Sequence, residues 1–199
     1  MKVLLSETRL RPKADYDDWE RMNIPERYRE VLLDLIPDLA HKTDLLNYIN
    51  NMKTNLLEGK GLYLHGDYRS GKSCMAALML EDACLKGASC YMVSEMHLPQ
   101  LLWDSNSVHN KNIQHKILTC DLLVFDDLGM DRNVAYVLDF IEMLIRTRYN
   151  EKLSTIITSN LDLDKAKEKY GDSLVSVIKC FAKPVLVGGV NWSDILSRE

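Results

Sequence analysis

Gly66-Asp67-Tyr68-Arg69-Ser70-Gly71-Lys72-Ser73 follows without a break on the apolar run Leu62-Tyr63-Leu64-His65. These eight residues complete the pattern GxxxxGK[ST]. Its glycines let the backbone curl so that successive N–H groups point inward at phosphate oxygens. The next residues, from Lys72 to about Lys86, carry a helical pattern, whose N-terminus adds the positive end of a helix dipole to the same anion. In that arrangement Lys72 reaches the β- and γ-phosphates, and the Ser73 hydroxyl ligates Mg²⁺. The predicted nucleotide contacts are Gly66, Asp67, Tyr68, Arg69, Ser70, Gly71, Lys72, Ser73 and Cys74. A chance match in a glycine-containing loop would lack a preceding strand and a following helix; this one has both.

Outward from the loop, short apolar runs alternate with helical patterns. The runs predict strands at Leu62–His65, Cys90–Ser94, Leu122–Phe125, Thr155–Thr158 and Val185–Val187. Helices are expected near Lys72–Lys86, His97–Trp103, Val134–Tyr149 and Asp164–Tyr170. Strands that alternate with helices give a parallel sheet covered on both faces, and such sheets bind ligands at the carboxyl ends of their strands. Ahead of the first strand, Tyr28, Val31, Leu32 and Ile36 recur at helical steps between Pro25 and Pro37. A second helix is expected from about Thr43 to a stop at Gly59. Met1 to Asn23 is polar and charged without a clear period and reads as a partly ordered arm, with Leu10 and Trp19 as candidate partner anchors.

The run Leu122-Leu123-Val124-Phe125 ends in Asp126-Asp127. A buried strand that ends in a carboxylate supplies the anchored oxygen a Mg²⁺–nucleotide site needs beside its phosphate loop. Asp126 is assigned to the metal, through a water, and Asp127 to polarising the attacking water as a general base. Ser154 to Asn160 is a second strand with a polar end. There Asn160, or Thr158, suits holding that water or sensing the γ-phosphate, and the same end also suits a helix cap.

A length of 199 residues favours one domain, and 46% apolar residues suffice for an ordinary packed core. The net charge of −4 argues against coating DNA by bulk charge, while leaving room for a local basic groove. Five scattered cysteines form no CxxC pair and read as buried thiols in a reducing cytosol. The first ten residues do not suit a signal peptide, and no apolar stretch approaches the ~20 residues of a membrane span. A cytoplasmic protein without membrane contact is the expectation.

Taken together, IPERYRE (24–30), YLHGDYRSGKS (63–73), CDLLVFDDLG (120–129), RTRYNEKLSTIITSN (146–160) and VNWSD (190–194) resemble the DnaC/DnaI/IstB branch of AAA+ ATPases. This branch comprises replicative helicase loaders and transposition helpers. The resemblance implies an α/β, P-loop NTPase fold of AAA+ type: a parallel five-stranded sheet with helices on both faces. It implies Walker A roles for Gly66, Gly71, Lys72 and Ser73, Walker B roles for Asp126 and Asp127, and sensor 1 for Asn160. It also implies ATP and Mg²⁺ as ligands, a replicative DNA helicase as partner, single-stranded DNA as a further partner, and self-assembly into a ring or spiral.

Two departures from the family pattern qualify those implications. Where the family carries an arginine finger, Ser173 to Lys179 has Val177, and Val190 to Asp194 offers no sensor 2 arginine, although Arg198 lies nearby. An apolar residue cannot neutralise developing phosphoryl charge, so whether the chain alone turns over ATP stays open. Second, fewer than 24 residues precede Ile24, too few for the separate helicase-binding domain that loaders carry. The expected organisation is therefore an arm over residues 1–23 and an ATPase core over 24–199 without a substantial lid domain. A helicase loader is the leading expectation, followed by a non-hydrolysing ATP-dependent scaffold and then an IstB-like transposition helper; a small kinase ranks last. His65, His97, His109 and His115 are given no role, and Arg146 and Arg148 are expected to face solvent, DNA or a neighbouring subunit.

Overall fold

The computed structural model describes residues 14–29, 40–104, 107–130 and 134–188. Along each central strand, successive apolar side chains alternate between two faces, and each face collects its own set of helices. Strands β1 (Gly61–His65), β2 (Cys90–Ser94), β3 (Leu122–Leu128), β4 (Ser154–Ser159) and β5 (Ala182–Leu186) form one sheet in the order β2-β3-β4-β1-β5. Every pairing is parallel. The fold is the α/β P-loop architecture expected from the motif order.

On one face, Leu62, Leu64, Leu122, Val124 and Ile156 meet helix α4 (Lys72–Leu85) and residues of α2 (Ala40–Asn50) and α3 (Met52–Glu58). On the other, Tyr63, Leu123, Phe125 and Ile157 meet α5 (Leu98–Trp103), α6 (Val108–Thr119), α7 (Ala135–Asn150) and α8 (Leu163–Phe181). β1 pairs with β4 and with β5, while the chain leaving it returns at the far edge as β2. The connection leaving β1 runs across the sheet to β2, while the one leaving β4 runs the other way to β5, which opens a crevice between β1 and β4 for a ligand.

Several elements differ from the sequence-based expectations. Helix α1 (Tyr16–Arg21) forms inside the segment expected to be a partly ordered arm. Asp15 caps it, accepting from the Asp18 amide at 2.8 Å in a reciprocal capping box. Met22 and Ile24 behind it are buried, and the Trp19 indole donates to Glu81 on α4 at 2.7 Å. The Met92 amide donates to the Met22 carbonyl at 2.9 Å, so this segment covers the β2 edge. Past Pro25 only a 3₁₀ turn, Glu26–Tyr28, is seen, and Val31, Leu32, Ile36 and Pro37 lie outside the described residues. The helix expected from Thr43 to Gly59 is two helices, broken at Asn51. Helix α6 went unread because its sequence, VHNKNIQHKILT, fully buries only Ile117. Helix α8 continues well beyond Tyr170, through a kink at Gly171, and β5 begins three residues before the expected Val185.

Arg148 is the clearest correction. It was expected on an outward helix face, and it has no exposed surface at all. Its guanidinium donates to Thr155 Oγ1 at 2.9 Å, to the carbonyls of Ile117 at 3.1 Å and Cys120 at 2.9 Å, and to that of Ser154 at 2.6 Å. One planar fork thus ties α7 to the end of α6 and the start of β4. Arg146, two residues earlier and so on another face of the helix, is part-exposed and bonds Glu142 and Ser173. The thiols also differ from expectation: Cys74 and Cys120 are buried, but Cys180 is exposed. No helix among the described residues is long and apolar enough to cross a membrane.

Removing the Arg148 fork leaves several buried acceptors without a donor. Arg148→Met is expected to lower unfolding free energy by about 3 kcal/mol or more, whereas Arg146→Ala should change it by about 1 kcal/mol or less. Urea denaturation of both variants checks this; equal effects would contradict the assignment.

Candidate nucleotide-binding site

The loop 66–71 connects the end of β1 to the first turn of α4. Gly66 has φ +146°, and a Cβ there would sit 2.1 Å from the Val187 carbonyl oxygen. The Val187 amide in turn donates to the His65 carbonyl at 2.7 Å. The first glycine is therefore dictated by the chain leaving β5, which closes over the loop's entrance. Gly71 occupies the N-cap of α4 at φ +92°, a left-handed conformation that lets the loop turn into the helix with its amides unblocked.

Lys72 is 5% exposed. Its ammonium donates to the loop's own carbonyls, Gly66 at 2.9 Å and Asp67 at 2.6 Å. Burial draws its pKa down, against the pull of the nearby Asp127, Asp126 and Asp67 carboxylates. Ser70 is buried within the loop, while Asp67, Tyr68 and Arg69 are exposed on its outer side. Cys74 is buried one turn into α4, among the apolar core residues. The loop therefore divides into an inner group and an outward Asp-Tyr-Arg face.

Asp126 lies at the end of the buried run of β3 and is 3% exposed. Its Oδ1 accepts from the Ser73 hydroxyl at 2.7 Å and from the Thr158 hydroxyl at 2.6 Å. Burial pushes its pKa up, and the neighbouring Asp127 charge adds to this, while the two hydroxyls pull it back. Thr158 Oγ1 also accepts from the Asp127 amide at 2.9 Å. Asp127 is half-buried with φ +61°, and β3's pairing with β4 slips between Phe125 and Leu128. Asn160 is half-buried just past β4, and its amide approaches the Met130 sulfur at 3.8 Å. The Tyr68 hydroxyl approaches the same sulfur at 3.6 Å. Loop, acidic strand and polar strand thus converge on one spot.

This donor set suits a hard cation held partly by a ligand. Among the described residues no group of three or more His, Cys, Asp or Glu side chains could hold a metal unaided. Mg²⁺ needs no such cage; it is held by one or two carboxylates plus substrate phosphates and waters. Ser73 and Asp126, hydrogen-bonded beside the phosphate loop, are the residues that would hold such a cation.

Two contributing segments were missed by motif reading. Tyr28 lies beside the Ser73 side chain, and the Arg27 charge acts on Asp126 while its guanidinium lies 4.7 Å from the Tyr28 ring centre. The IPERYRE stretch that holds them was legible only as a resemblance, because no spacing rule joins it to the loop. The other is Glu95, fully buried next to the turn that follows Asp127. Away from the loop, His97 and His109 line a cavity of about 610 Å³ together with Tyr91, Leu101, Trp103 and Asn110. It lacks the strand-end carboxylates and backbone cradle that phosphate chemistry needs.

Residues 39–178 match the family described as IstB-like ATP binding protein. The chain is 28% identical over 135 residues to the replicative helicase loader DnaI of Bacillus subtilis (strain 168), which covers 65% of this chain and 41% of that protein. It is 26% identical over 110 residues to the replicative helicase loader DnaC of Buchnera aphidicola subsp. Acyrthosiphon pisum (strain APS), covering 53% of this chain and 45% of the relative. The chain thus spans less than half the length of these relatives. The crystal structure of the DnaC helicase loader superimposes with a TM-score of 0.72 at 26% identity, over 82% of this chain and all of that one. A structure of the replication initiator DnaA bound to AMPPCP and single-stranded DNA shares the fold, with a TM-score of 0.68 at 15% identity over 83% of this chain and 51% of that one.

A carboxyl whose folded pKa is raised stabilises the fold only while protonated, so its ionisation at neutral pH costs stability. Asp126→Asn, which can still accept both hydroxyls, is therefore expected to be more stable than the parent at pH 7 without ligands, by about 1 kcal/mol. Lowering the pH should close the gap. Mg²⁺ with ATP should reverse the order in thermal melts; a less stable ligand-free variant would contradict the reading.

Proposed function

Because this chain belongs to the IstB-like ATP binding protein family, we propose that it binds ATP with Mg²⁺ at the loop 66–73 and acts as a DNA-replication accessory of the helicase-loader kind. The observation that carries the nucleotide half is the Ser73–Asp126–Thr158 hydrogen-bonded set beside the buried Lys72. A Mg²⁺ ion bound with the nucleotide would be held by Ser73 and Asp126 and would supply charge neutralisation to the phosphates. Ser73 donates its proton to Asp126, which leaves its oxygen lone pairs free for the cation. Asp126, held by two hydroxyls, is the anchored carboxylate that would hold the cation, through a water. Lys72 exchanges its contacts with the Gly66 and Asp67 carbonyls for phosphate oxygens, a charge-assisted and stronger pairing.

Asp127 is the group assigned to the attacking water. It is half-buried beside Asp126 and close enough to the Lys72 ammonium to oppose the lowering of that group's pKa by burial. Asn160, at the adjacent strand end, senses the γ-phosphate or holds the same water. The replication half of the proposal draws on the loaders DnaI and DnaC that the chain resembles. A replicative helicase is the proposed protein partner, and single-stranded DNA and assembly into a ring or spiral complete the reading.

One observation favours a second reading, a scaffold that binds ATP and hardly hydrolyses it. Val177, where the family pattern places an arginine, packs against the apolar core cluster of α7 and α8. That position faces the core and offers no charge to a neighbour's phosphate. An arginine finger is worth about 10³–10⁵ in rate, so without one turnover falls close to the unassisted level.

Lys72→Ala is expected to abolish ATP binding and any ATP-dependent assembly, measured by titration with a fluorescent ATP analogue. Asp127→Asn should keep binding within about threefold and accumulate the ATP-bound assembly, because it removes only the general base. Loss of binding in Asp127→Asn would make that residue a metal ligand instead. Native mass spectrometry with the host's replicative helicase tests the partner: a complex of defined stoichiometry supports the loader reading. ATP-dependent self-assembly without the helicase supports the scaffold.

A further inference from the structure

The turn after the second carboxylate is gripped by a residue from the neighbouring strand's end. Glu95, immediately after β2, has no exposed surface. Its Oε2 accepts from the Gly129 amide at 2.7 Å and the Met130 amide at 2.9 Å. Its Oε1 accepts from the Tyr170 hydroxyl on α8 at 2.7 Å. The Lys169 ammonium, also on α8, donates to the Gly129 carbonyl at 2.7 Å. Residues 129–130 are thus clamped from two elements at once.

Asp127 sits two residues before this clamp, at φ +61°. A side chain other than glycine in that region carries strain, and it persists only where the surroundings over-determine it. Upstream, the Asp127 amide is tied to Thr158. Downstream, the tie is Glu95. Charge-assisted bonds from a buried carboxylate to two consecutive amides are short and directional, so they fix the turn rather than merely fill it. The sulfur of Met130 then meets Tyr68 of the phosphate loop and Asn160 of the polar strand. A shift of this one turn would therefore move contacts with both the phosphate loop and the polar strand.

We propose that Glu95 is a positioning residue of the nucleotide site: by holding the Gly129 and Met130 amides, it keeps Asp127 in the conformation from which it acts on the attacking water. This rests on the reading of Asp127 given above. In this reading Glu95 acts through the turn it holds, so its removal should slow turnover and spare binding. Glutamine retains an acceptor oxygen for the two amides, and alanine retains none.

The test uses the full chain and its Glu95→Ala and Glu95→Gln variants, with ATP and Mg²⁺. Affinity is read by displacement of a fluorescent ATP analogue, and kcat and KM by phosphate release. Glu95→Ala is expected to lower kcat by about 10- to 100-fold with affinity held within about threefold. Glu95→Gln should recover most of the rate. If Glu95→Ala does not fold, Tyr170→Phe, which frees Oε1, serves instead, with an expected fall in kcat of about threefold at unchanged affinity. The inference is overturned if kcat in Glu95→Ala stays within about twofold, if affinity and kcat fall together, or if Glu95→Gln is no better than Glu95→Ala. A parent chain that binds ATP and releases no phosphate also overturns it, since Asp127 would then have no water to act on. Failure of the parent to bind ATP is a separate result, which would sink the nucleotide-site reading itself.

Discussion

A single carboxylate oxygen, Oδ1 of Asp126, accepts hydroxyl protons from Ser73 on α4 and Thr158 on β4. These partners are 53 and 32 residues away in sequence, so the pair of bonds can form only when β1, β3 and β4 have assembled in order. A buried carboxylate is expensive unless its lone pairs are used, and here both bonds fall on the oxygen facing the phosphate loop's helix. The remaining architecture serves to bring these groups together. β3 is buried along its length between β2 and β4, and α4 leaves β1 at the one point where the sheet order opens a crevice.

The same constraint explains why polar groups gather in an otherwise apolar sheet. Ser154, Thr155, Thr158 and Ser159 of β4 are all buried, and each has a hydrogen-bond partner on a neighbouring segment. Thr155 takes the Arg148 fork at the amino end of the strand, and Thr158 takes Asp126 at the carboxyl end. One end of β4 is thus locked for stability, while the other, through Thr158, holds the raised-pKa carboxylate of β3 that a cation would relieve. Placing the unstable charge only at the ligand end is the usual exchange of stability for function.

The motif Gly66–Ser73, the end of β3 and the end of β4 were legible in the sequence because local spacing and mechanism agree there. The two-faced sheet followed from the alternation of short apolar runs with helices. What was not legible depended on contacts between distant segments. Arg148 looks like any charge near a helix C-terminus until the carbonyls of Ile117, Cys120 and Ser154 are seen around it. Glu95 has no motif, since its partners are backbone amides that any residue would offer. Helix α6 has too thin an apolar stripe, and α1 is too short, for periodicity to reveal either. The helical steps that include Tyr28 do not reveal that it lies beside Ser73, in a 3₁₀ turn.

The central claim is that Ser73 and Asp126 form a partial cation shell completed by a triphosphate. It is tested most directly by measuring ATP affinity of the parent and of Ser73→Ala across a Mg²⁺ titration, with EDTA as the zero point. The parent should bind ATP about tenfold or more tightly with Mg²⁺ than without, and Ser73→Ala should lose most of that dependence while keeping its metal-free affinity. An affinity in the parent that ignores Mg²⁺, or a Ser73→Ala variant with the parent's full dependence, would contradict the account.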